Sequence, residues 1–172
     1  MMLMGIDGQP EVLSETLSNN AERNFTVGAV DRISQVLRGE ISAIEAYEHV
    51  LVHFAAERNI HKLEEIKDQH EEAAHFWTQI LSNSGFEAER HSGPWGQVVR
   101  TFVDTATFFG DTSSLRALHA GETHGLSEYY EMLADSTVPS GLKDKVRSVF
   151  IPAQEQHIAL LDAWKAPPQL EA

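Results

Sequence analysis

Residues 30–54 read VDRISQVLRGEISAIEAYEHVLVHF, and Val30, Ile33, Leu37, Glu40, Ile44, Tyr47, Leu51 and Phe54 fall in it at alternating intervals of three and four. That spacing is the buried stripe of a helix packed in a bundle. Every member is apolar or aromatic except Glu40. A second stripe repeats the pattern: Leu115, His119, Glu122, Leu126, Tyr129 and Leu133. Glutamate is seldom fully buried without a partner. The groups that face Glu40 and Glu122 therefore define what the protein can do.

Working outward from these stripes gives four main helices and no strand. Helix A spans about Thr26 to Ala56. Helix B follows Asn59, a good N-cap, and runs to about Ser84, with Gly85 as its stop. So short a connection predicts an antiparallel hairpin. The stretch GFEAERHSGPWG reads as a loop. Pro94 then opens a short crossover helix with the stripe Trp95, Val99, Phe102, Ala106 and Phe109. Asp111 caps helix C, which runs to about Asp135, and STVPSG separates it from helix D, about Pro139 to Trp164. Pro152 inside helix D removes an amide donor and predicts a kink. The expected fold class is an all-α four-helix bundle of two hairpins over residues 25–166. Residues 1–24 are expected to form a disordered arm and 167–172 a tail.

Composition narrows the functions. The chain has 172 residues, enough for one domain with a full core. It has no cysteine, which excludes disulfide frameworks, Cys-ligated zinc and iron–sulfur clusters. A net charge of −13, with 13 Lys and Arg against 26 Asp and Glu, supplies no basic face, so no nucleic-acid partner is expected. The acidity reads as an ordinary soluble surface. No apolar run approaches a membrane span and no signal peptide is apparent, so no membrane partner and a cytoplasmic location are expected.

The chain carries an internal duplication. GEISAIEAY (Gly39 to Tyr47) lies over GETHGLSEY (Gly121 to Tyr129), and DQHEEAAHFW (Asp68 to Trp77) over EQHIALLDAW (Glu155 to Trp164). His70 thereby aligns with His157. His70 shares a helical column with Leu63, Ile66, Ala74, Trp77 and Leu81, and His157 shares one with Phe150, Ala153, Leu160, Leu161 and Trp164. Both histidines are expected to face the core. Glu72-Ala-Ala-His75 spells a metal motif, but its column holds Glu65, Asp68 and Gln79, so it reads as a solvated face. Counting back from the hairpin argues otherwise. It puts His75, not His70, level with Glu40 and would pair Glu72 and His75 with Gln154 and His157.

The segments LRGEISAIEAYE, IKDQHEEA, GETHGLSEYY and PAQEQHIALLD, in this order, resemble the ferritin-like four-helix superfamily, in particular an uncharacterised bacterial family within it. Helix A also resembles the first helix of bacterioferritins; rubrerythrins are more distant. Ferritin-like di-iron proteins take one Glu from each of two helices and Glu-x-x-His from each of the other two. The resemblance thus implies Glu40, Glu122, His70 and His157 as metal ligands. It departs where the two further carboxylates belong, at Lys67 and Gln154. With His119 as an additional nitrogen, this set suits a single Fe, Zn or Mn ion.

Two functions stay open at this point. One is a metal-binding protein with a degenerate di-iron-type site and a redox or metal-handling role. The other is a structural or interaction bundle with a metal-free Glu–His core. A homodimer fits either; an iron-storage cage lacks identifiable interfaces. Tyr47 and Tyr129 are within reach of hydrogen bonds to the site, but their simplest reading is as core aromatics, like Trp77 and Trp164.

Overall fold

A computed structural model describes residues 25–53, 60–86 and 111–165. The expected arm at 1–24, the end of helix A beyond His53, the Trp95–Phe109 crossover helix and the tail lie outside the described residues. The described part is all helical: α1 (Val27–His53), α2 (Ile60–Asn83), α3 (Asp111–Ala134), α4 (Ser140–Lys145), a π-helical turn (Val146–Phe150) and α5 (Ile151–Lys165). Helix α1 packs on α2 and on α3, and α3 packs on α5. None of these helices is long and apolar enough to cross a membrane.

Local chemistry sets the ends. Thr26 Oγ1 accepts the Ala29 amide at 3.2 Å and caps α1. Helix α2 ends as Gly85 predicts. Its φ of +82° lets the Gly85 amide reach the Ser82 carbonyl and the Phe86 amide reach that of Leu81. Between α3 and α4, Asp135 Oδ1 accepts both the amide and the hydroxyl of Thr137. Just before Pro152, where a kink is expected, the helix has a π-helical turn in which the Ile151 amide bonds the Val146 carbonyl. That turn stacks Phe150 on Tyr129, with centroids 5.4 Å apart and planes 8° from parallel.

The apolar core divides into two clusters. One joins Ile33, Leu37, Ala74, Trp77, Tyr129, Met132 and Phe150. The other joins Ala46, Val50, Leu63, Ile66, Leu115, Leu118 and Leu161. Their membership makes α1 antiparallel to α2 and to α3, and α3 antiparallel to α5. Between the clusters lies a polar layer of Glu40, His70, Glu122, Gln154 and His157, all buried. The buried face is wider than the sequence stripes suggest. Val36 and Val50 on α1 and Leu118 and Met132 on α3 are fully covered, whereas Ile44, Leu51, Leu126 and Leu133 are half-buried. Helices α1 and α3 each touch two neighbours, so a single line of residues does not describe either face.

Candidate metal centre

The polar layer is built from reciprocal pairs across the duplication. Tyr47 of α1 donates to Glu122 Oε1 of α3 at 2.6 Å, and Tyr129 of α3 donates to Glu40 Oε1 of α1 at 2.5 Å. His70 of α2 bridges the two carboxylates. Its Nδ1 lies 2.7 Å from Glu40 Oε2 and its Nε2 3.1 Å from Glu122 Oε1. His157 of α5 places Nδ1 3.2 Å from Glu122 Oε2 and Nε2 3.0 Å from Gln69 Oε1. The Gln154 side-chain amide donates to the Glu122 carboxylate and, at 3.1 Å, to its backbone carbonyl. Trp77 Nε1 donates to Tyr129 Oη at 3.3 Å, tying the layer to the aromatic cluster below.

The electrostatics follow from burial and proximity. Burial alone favours a neutral His70, but the charges of Glu122 and Glu40 and their hydrogen bonds outweigh it and raise the ring's pKa to about 10. His70 is therefore an imidazolium at neutral pH. Burial likewise favours a protonated Glu122. The His70 charge and the bonds from His157 and His70 override this and hold the carboxyl well below the usual range. Burial, then the adjacent carboxylates, push the Tyr47 and Tyr129 phenols well above their ordinary value.

Four of the expected site residues, Glu40, His70, Glu122 and His157, thus converge, and Gln154 joins them. Three do not. Glu72 and His75 are exposed, and His75 Nε2 meets Gln79 on the outer face of α2. The register that would pair them with Gln154 and His157 is not realised, because the whole apolar column of α2 turns inward with His70. His119 was expected on the core stripe. It lies half-buried at the outer edge of α3, its Nε2 3.1 Å from Asp162 Oδ1. Lys67, aligned with Gln154 in the duplication, points outward to Glu71 and Asp68.

The tyrosines take the role that the sequence ranks second, hydrogen bonding to the site, since each hydroxyl holds the glutamate of the opposite half. One buried group has no place in the sequence reading. Glu128 is buried, at 8 % exposure, and accepts from Gln35 Nε2 at 3.0 Å. Burial, its largest influence, raises its carboxyl above the ordinary range. The available signal was Gly39, a mid-helix glycine on α1. A Cβ there would sit 2.7 Å from Glu128 Oε2.

His70, Glu122 and His157 each offer one ligand atom, and these atoms lie within 4.8 Å of one another. Ligands on one ion with bonds of roughly 2.1 Å stand about 3.4–4.2 Å apart, so a small contraction suffices for a single metal. A dinuclear centre does not fit. It needs bridging carboxylates where this chain has an outward-facing Lys67 and an amide donor, Gln154. Comparison with known protein families, curated proteins and solved structures gives no match for this chain. The described residues form an all-α bundle with a buried His70/Glu122/His157 group that could hold a metal ion.

Proposed function

We propose that the protein is a ferritin-like bundle whose polar layer binds one divalent transition-metal ion. The observation that carries this reading is the donor set itself. Two imidazoles and two carboxylates face one another in a buried layer, and a divalent ion that displaced the His70 proton would be balanced by the two carboxylates. His70, Glu122 and His157 would hold the ion, with Glu40 beside His70 as a further oxygen donor. Tyr47 and Tyr129 orient the carboxylates as partners behind the ligands. Iron or manganese would add one-electron redox chemistry, whereas zinc would not.

The test is metal analysis of protein purified without chelator, followed by Co²⁺ titration in the visible range. The expected result is near one equivalent of metal per chain, lost in Glu122→Gln and His70→Ala. Absence of metal as isolated, together with no saturable Co²⁺ binding, would overturn it.

One observation favours a second reading. Among the described residues, every buried side-chain nitrogen and oxygen has a hydrogen-bond partner without an ion. On that reading His70 is itself the cation, and the layer is a structural device of an interaction or scaffold protein. The same titration separates the two.

A further inference from the structure

The polar layer forms one wall of a cavity of about 340 Å³ between α1 and α3. The cavity exists because small residues face each other there: Gly39, Ala43 and Ala46 on α1, and Ala117, Gly121 and Gly125 on α3. An engineered apolar cavity of about 150 Å³ already binds benzene, and ligand sites begin at roughly 300 Å³. Wall atoms without neighbours lose dispersion contacts that a ligand restores.

Carboxylates outnumber cations on the wall. Glu40, Glu122 and Glu128 line the cavity together with the His70 imidazolium, and no Lys or Arg does so among the described residues. Glu40 and Glu122 are engaged by His70 and the tyrosines. Glu128 is different. Its Oε1 takes the bond from Gln35 and lies 3.4 Å from His124 Nε2. Its Oε2 occupies the space that a side chain at position 39 would fill, and no hydrogen bond to that oxygen comes from the described residues. A carboxylate oxygen that opens onto a largely apolar cavity is matched by a cation or a strong donor.

We propose that this cavity binds a small organic amine with a compact apolar body, whose ammonium group pairs with Glu128 while the body fills the space between Ala46 and Gly121. The site is separate in its anchor from the metal layer and does not depend on a metal being bound.

Calorimetric titration of the protein as purified, with benzylamine, benzyl alcohol and benzoate, tests this. Benzylamine should bind saturably, benzyl alcohol roughly tenfold more weakly, and benzoate not measurably. Glu128→Gln should reduce benzylamine to the affinity of benzyl alcohol and leave metal content unchanged, which distinguishes Glu128 from a metal as the anchor. Gly121→Phe should abolish binding of both, because a Cβ at 121 meets nothing within 4 Å and the ring is free to enter the cavity mouth. Melting temperatures of both variants report whether the fold is kept. Equal binding of benzoate, an unaltered benzylamine affinity in Glu128→Gln, or no binding of any of the three would overturn the proposal.

Discussion

Raising the pH should destabilise this protein by discharging His70. The ring sits between Glu40 and Glu122 with a pKa of about 10, against an ordinary value of about 6.5. Its folded pKa lies above its unfolded one. The stabilisation is therefore complete below about pH 6.5 and is lost as the pH rises through about 10. In that window the folded state holds one more proton than the unfolded state, so stability falls by about 1.4 kcal/mol per pH unit. From pH 6.5 to 9.5 the loss is on the order of 4 kcal/mol, a large fraction of the usual 5–15 kcal/mol for a domain. Urea unfolding followed by circular dichroism, in chelator so that no metal competes with the proton, should show the midpoint falling by roughly 2 M across the window. A direct reading comes from ¹⁵N NMR of the His70 ring, which should show both nitrogens protonated at pH 8. A flat stability profile over pH 6.5–9.5, or a neutral His70 ring at pH 8, would refute the charge bridge.

Glu122 adds the opposite limb. Its depressed pKa gives stability that is present above about pH 4.5 and disappears as the pH falls, visible as acid unfolding that Glu122→Gln blunts. Tyr47→Phe and Tyr129→Phe should each cost about 1.5–3 kcal/mol in urea unfolding, the worth of a hydrogen bond to a buried carboxylate. His75→Ala and Glu72→Gln, both on the exposed face, should stay within about 0.5 kcal/mol of the parent in the same assay, whereas His70→Ala should lose several times that. Gly121→Ala should raise the melting temperature by adding about 0.5–1 kcal/mol of helix propensity in open space. Gly39→Ala should lower it, because its Cβ would displace the Glu128 carboxylate.

Much of this architecture is legible in the sequence because it is periodic. The column through Leu63, Ile66, His70, Ala74 and Trp77 states which way α2 faces, and all five residues are buried. That column also settles His70 against His75, where counting from the hairpin failed. Counting depends on helix ends, and ends carry an uncertainty of about a turn. The duplication made Glu40 and Glu122, and His70 and His157, readable as pairs. The tyrosines were visible as core residues. Their bonds run between helices 75 and 89 positions apart in sequence, and no local pattern reports such a pairing. Glu128 was illegible for a related reason. It lies next to Tyr129, one residue off the stripe, and is buried only because Gly39 on another helix leaves room. His119 fell on the line of the stripe yet not in the core, because α3 turns toward both α1 and α5 and its buried arc is centred on Leu118, Glu122 and Tyr129.

The polar layer also fixes the register in which the helices meet. Apolar clusters tolerate sliding, since one leucine contact replaces another. A slip of α2 along α1 by one turn, about 5.4 Å, would instead set His70 against aliphatic side chains and take its bond from each carboxylate. The two halves of the layer are not equivalent in this respect. Gln154 holds the Glu122 carboxylate and backbone, whereas Lys67, its counterpart in the duplication, turns outward to Glu71. Glu122 is therefore gripped by Tyr47, His70, Gln154 and His157 and Glu40 by Tyr129 and His70, so α5 is keyed to α3 more firmly than α2 is to α1.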